Sequence, residues 1–126
     1  MKALSIIETA YRATLEEQDD PVVWIIHALK GAGAEQAVVL RANAVNYAVK
    51  AQGVPLLAFG ARQQKHGPRV AESVAGLIGK GVEVHVVSDD LVERGLQDEE
   101  LVSDLRMIRR TDLPKLCAGY DLVWHW

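Results

Sequence analysis

Cysteine is the scarcest resource of this chain: Cys117 is the only one among 126 residues. An intrachain disulfide and a cysteine-based metal cage are therefore both excluded. There is no basic block either. Fourteen Lys and Arg stand against 17 Asp and Glu, a formal charge of −3, so nucleic acid is not indicated as a partner. Long apolar runs are missing as well, and a stretch such as Val22 to Ala28 is far too short to span a bilayer. The start of the chain shows no charged-then-apolar export pattern, because Glu8, Arg12, Glu16 and Glu17 interrupt it early. The expected location is the cytoplasm, with no membrane association. Internal repeats, low-complexity tracts and linkers are also absent.

What is present is an ordinary globular composition, 49% hydrophobic and 25% charged. The length supports one domain with one real core, spanning residues 1–126, and is too short for two. Ala3 to Ile7 is a short apolar run that reads as a first strand buried on both faces. Thr9 to Asp20 is polar and acidic, a loop or an irregular helix. Asp20-Pro21 is a helix start, with Asp as the cap and Pro where no N–H is needed. Val22, Ile25, Ile26 and Leu29 then share one helical face, and Gly31 and Gly33 end the helix. Gln36 to Leu40 is the second strand, followed by an expected helix over Ala44 to Ala51 capped by Asn43.

Gly53-Val54-Pro55 breaks the chain. Leu56 to Phe59 suggests a third strand with pairing limited by Pro55, and Gly60 to Gly67 an exposed loop. Pro68 opens another expected helix, with Val70, Val74, Leu77 and Ile78 on one face and Gly79 and Gly81 at its end. Val82 to Val87 is a run of β-branched residues that turns polar at Ser88-Asp89-Asp90. Asp90 and Glu93 have capping-box spacing, and Gly95 fits the end of a short helix. Gln97 to Asp104 is an expected short helix and Leu105 to Ile108 a strand. Thr111 is the expected cap of a helix running through Cys117, and Asp121 to Trp126 is a last strand. Strands and helices alternating in this way imply a mainly parallel sheet covered on both faces.

Open sheets of this kind bind ligands outside the carboxyl ends of their strands. Arg41, Asn43 and Asn46 follow the second strand and would share that edge with Ser88 and Asp89. Together they would form a polar crevice for a small ligand; the alternative is a capped helix with a surface arginine. Asp89-Asp90 reads as a metal or acid/base pair, or as helix-terminal acids favoured by the dipole. The local motif completed by Glu93 and Gly95 supports the second. Gly31-Ala32-Gly33 follows a helix rather than opening one, so it is a helix stop and not a phosphate loop. His27, His66, His85 and His125 have no partner at zinc-ligand spacing, so neither metal nor cofactor is expected. Cys117 falls late in its helix, where the dipole disfavours a thiolate, and Lys115 two residues away lies on another face.

Three segments together resemble the DsrE/DsrF/DsrH-like family, which includes the Tus sulfur-relay proteins and the YchN-like fold. They are VVLRANAVNYAVKAQ (residues 38–52), GVEVHVVSDDLVERGL (residues 81–96) and the tail from Arg109 to Trp126. The resemblance implies a three-layer α/β sandwich with a mostly parallel sheet of five or six strands. It also implies a homo-oligomer, trimer or hexamer, or a hetero-complex with other DsrE-like subunits, with a sulfur-carrier protein as a further partner. In such proteins a carrier cysteine near the end of the strand before the Arg-Gly turn passes persulfide sulfur. Counting back from Arg94-Gly95 places that position at about Val87, where no cysteine occurs. The DLVERGL segment is more similar to the DsrH/TusB branch, whose carrier lies nearer the N-terminus, and none occurs there either. The expectation is an oligomeric assembly or small-ligand-binding member of a sulfur-relay system, without the usual carrier cysteine. The alternatives are a persulfide carrier acting through Cys117, which would make sulfur transfer its activity, and a small-molecule-binding protein unrelated to sulfur. The terminal Trp-His-Trp and Leu56 to Phe59 are the expected apolar contact surfaces.

Overall fold

The computed structural model describes residues 1–12, 19–53 and 55–126. Much of the expected Thr9 to Asp20 loop, and Val54 of the Gly-Val-Pro break, lie outside the described residues. Five strands form one parallel sheet: β1 (Lys2–Ile7), β2 (Glu35–Leu40), β5 (Glu83–Val87), β6 (Arg106–Ile108) and β7 (Leu122–His125). Their order across the sheet is β6-β5-β2-β1-β7. The register sets Ile7 beside Leu40, Leu40 beside Val86, and Val87 beside Ile108. These strands therefore end almost flush, and the residues after them share one edge.

The period-2 pattern divides the core. Ile7, Val38, Leu40, Val84 and Val86 pack on one face against helices α1 (Pro21–Gly31) and α2 (Val70–Gly79). Leu4, Ala37, Val39 and Val87 face the other way, against the five-residue helix α4 (Leu113–Cys117). Each fully buried Val or Leu contributes roughly 1.5–3 kcal/mol, so the first face holds most of the stability. The Asp20-Pro21 start is as expected: Asp20 Oδ1 accepts from the N–H groups of Val22 and Val23. Its other oxygen accepts from the buried Tyr47 hydroxyl at 2.6 Å, and the Tyr11 N–H donates to that hydroxyl. One carboxylate thus caps α1 and ties it to the segment after β2.

Several expected elements differ. Residues Ala42–Ala48 form a 3-10 helix, not an α-helix, and Asn43 does not cap it. Ala42 enters it at φ 48°, and Asn46 Nδ2 donates to the Asn43 carbonyl. Gln52 Nε2 holds the carbonyls of Asn46 and Val49, and Val49 bridges to Leu101. These partners fix the chain more tightly than helix propensity does. Leu56 to Phe59 adds no strand to the main sheet; only β3 (Ala58–Phe59) forms, in a hairpin with β4 (Arg62–Gln63). Helix α2 begins at Val70, after Pro68 rather than at it. Helix α3 (Ser88–Glu93) begins at Ser88, which moves Asp90 inside the helix and removes the expected Asp90–Glu93 capping box. The capping box forms instead between Gln97 and Glu100, around a single 3-10 turn at Asp98–Glu100 in place of a longer helix. Thr111 lies within a 3-10 turn (Arg110–Asp112) and caps nothing. Trp126 turns inward against the first core face, in edge-to-face contact with Trp124.

Candidate functional site

The carboxyl edge of the sheet carries a cross-linked polar network. Asp90 is its hub, 3% exposed on the first turns of α3. One of its oxygens accepts from the Ala42 N–H at 2.7 Å, and the other takes the Arg110 guanidinium. Arg110 Nη2 also reaches Glu93 at 2.8 Å, and the Arg110 N–H donates to Asp89 Oδ2 at 2.6 Å. Arg94 closes the other side, donating to the Asp90 carbonyl and, at 2.9 Å, to Asn43 Oδ1. Burial pushes the Asp90 carboxyl up, but the Ala42 N–H, Arg110 and the charge of Arg41 outweigh it and hold the group below its ordinary value. Glu93 and Asp90 together raise Arg110.

The network ties together the segments that follow three strands: Arg41 to Asn43 after β2, α3 after β5, and Arg110 after β6. Of the residues singled out in the sequence, Asn43 and Asp89 are members of it. Ser88 borders it and donates to the Ile108 carbonyl at 3.1 Å. Arg41 is half-buried, with its Nε meeting no partner among the described residues. Asn46 is turned away. It lines a separate cavity of about 290 Å³ with Tyr11, Gln52 and Leu96. From the sequence, Asp90 reads with Asp89 as a helix-terminal acid rather than as part of an acid pair, and Arg94 and Arg110 are given no place in a site. Arg110 follows a strand end just as Arg41 does, so the same edge rule would have found it. Asp90 was hidden by its fit to a local cap.

Cys117 lies elsewhere. It is half-buried at the end of α4, packed against the cluster of Leu4, Ala37, Val39, Val87 and Leu113 on the second sheet face. Val87, at the position the family resemblance gives to a carrier cysteine, is fully buried. On the same face, toward the strands' amino ends, is a cavity of about 780 Å³ bordered by Lys2, Glu35, Glu83, Lys115 and Tyr120. Glu83 pairs there with Arg106 at 3.1 Å and lies 3.7 Å from the buried His85. Burial lowers the His85 pKa, against Glu83 and with Arg106. Among the described residues no group of three or more His, Cys, Asp or Glu is arranged to hold a metal ion. No described helix is long and apolar enough to cross a membrane.

No protein-family model matches the sequence, and no curated protein does. Among solved structures, the chain is similar to the ychN protein from E. coli, with 14% identity, 100% of both chains covered and a TM-score of 0.74. It is also similar to a protein of unknown function, MTH1491, from Methanobacterium thermoautotrophicum. There the identity is 11%, the coverage 98% of this chain and 97% of that one, and the TM-score 0.66. At these identities the likeness is one of fold: the chain has the YchN-like α/β fold, a five-stranded parallel sheet flanked by helices.

Proposed function

We propose that this chain is a cytoplasmic DsrE/DsrF/DsrH-like protein of sulfur metabolism. In this reading it acts as an oligomeric assembly or small-ligand-binding subunit and does not carry persulfide. It works as a trimer or hexamer, or with other DsrE-like subunits. The observation that carries the reading is the filled position at the end of β5, where Val87 is fully buried in the place of a carrier. The sole thiol adds support, being packed against an apolar cluster with no helix N-terminus to favour a thiolate. Incubation with a persulfide donor should leave the intact mass unchanged. A sulfur adduct that disappears in Cys117→Ala would establish a carrier instead.

A second reading, ligand binding unrelated to sulfur, is favoured by Arg41. Its half-buried guanidinium sits at the carboxyl edge with an unpartnered Nε, close enough to Asp90 to influence it. A small anion is the ligand chemistry that fits such a group. Native mass spectrometry of gently purified protein should then show a retained molecule that Arg41→Glu abolishes. Retention unaffected by that change would exclude this edge.

A further inference from the structure

The charges of this chain are segregated along its length. No Asp or Glu occurs between Glu35 and Glu72, while Glu83 to Asp104 contains eight acids and Arg94 as its one cation. The two stretches differ in form as well as sign. The first includes the hairpin of β3 and β4, whose Ala58, Phe59, Arg62 and Gln63 are all exposed. Gly60, at φ 60°, makes its tight turn, and Leu57 and Gln64 close its base. A hairpin of two residues per strand is marginal by itself in water. This one nonetheless holds Phe59 at 72% exposure, with Arg62 opposite it across the hairpin and the exposed Lys65 just after β4. Neither cation has an ion-pair partner among the described residues.

The second stretch presents a matching depression. A groove of about 320 Å³ follows α3, with Leu91, Val92, Leu96, Asp98 and Glu99 in its lining. Val92 is 78% exposed there, a large apolar side chain left to solvent. The neighbouring acids Asp89, Asp90, Glu93 and Glu100 are engaged within the chain. The side chains of Asp98 and Glu99 accept no hydrogen bond and form no ion pair among the described residues. One surface thus offers an exposed aromatic residue in a cationic segment, and the other an apolar groove with two free anions in its lining.

We propose that the hairpin of one copy docks in the acidic groove of a second copy, with Phe59 over Val92 and Leu96 and with Arg62 and Lys65 facing Asp98 and Glu99. The contact joins two different patches, so it is head-to-tail and closes a ring when the rotation allows. Charge complementarity sets its register, and burial of Phe59 with Val92 supplies the apolar centre. It rests on the oligomeric reading proposed above and names the surfaces that would form the assembly.

Charge reversal tests it, with solution mass as the readout. Arg62→Glu with Lys65→Glu should weaken association by at least about tenfold, because it sets like charges against each other. Asp98→Lys with Glu99→Lys should do the same. A chain carrying all four changes should regain the parent's mass, since a reversed hairpin then meets a reversed groove. Raised salt should weaken the parent assembly. A parent oligomer indifferent to either pair of reversals, or a fourfold variant that stays dissociated, would overturn this contact and leave the oligomeric reading standing. A parent chain that is monomeric at micromolar concentration would overturn both.

Discussion

The two faces of the sheet are built to different standards. On one face, α1, α2 and the 3-10 segment close over Ile7, Val38, Leu40, Val84 and Val86 and leave a dense core. On the other, α4 covers Leu4, Ala37, Val39 and Val87, and a cavity of about 780 Å³ opens beside it. The first face holds most of the fold's stability. The second is only thinly covered and holds the one thiol.

Substitutions should separate the two. Leu40→Ala, on the closed face, should cost about 2–5 kcal/mol in urea unfolding. Leu116→Ala, half-buried on α4, should cost roughly half as much or less, because part of its surface is already wet. Equal losses would break the comparison. Asp90→Ala should fall next, at about 1–3 kcal/mol, since it strands the Ala42 N–H and frees Arg110 from its hub. Tyr47→Phe should cost about 1–2 kcal/mol by removing the partner of Asp20 and of the Tyr11 N–H.

The smallest effects concern pH. The folded Asp90 pKa lies below its ordinary value of 3.8, so its contribution is present above that pH and is lost as pH falls through the folded value. Asp90→Asn should flatten the acid limb of a stability profile. His85 behaves differently. Its folded pKa also lies below the ordinary 6.5, because burial favours the neutral ring, so the unfolded chain binds a proton first. Stability should therefore decline as pH drops below 6.5 and level off below the folded value. Glu83 and Arg106 are the charged groups that act on this histidine, and His85→Leu should remove the decline. An unchanged slope in that variant would place the titrating group elsewhere.

The sheet itself is legible in the sequence because its strands are short apolar runs, β-branched in β2 and β5, and many of its turns are marked by glycine or proline. Asp20-Pro21 was equally plain, since a cap is a local device. Elements held by distant partners were not legible. Ala42–Ala48 becomes a 3-10 helix through Gln52 and the bridge to Leu101. Asp90 fits a local capping pattern, yet its real partners, Ala42 and Arg110, lie 48 and 20 residues away. The hairpin at Ala58 to Gln63 joins no other strand among the described residues, so Leu56 to Phe59 has the composition of a strand without a neighbour to complete it. Arg41, Asn43, Ser88 and Asp89 lie at the carboxyl edge that the sequence assigns them, with Asn43 and Asp89 held in the Asp90 network. Asn46 left it because a 3-10 turn points its residues differently from an α-helix.

The reactivity of Cys117 most directly tests whether this fold carries sulfur here. A small disulfide reagent can be timed against the folded chain and against the chain in denaturant. Packing against Leu113 and Val87 with no dipole to favour the thiolate should slow the folded reaction by at least about tenfold. A folded thiol that reacts as fast as the unfolded one, or faster, would contradict the non-carrier reading and return Cys117 to the role of a sulfur-bearing residue.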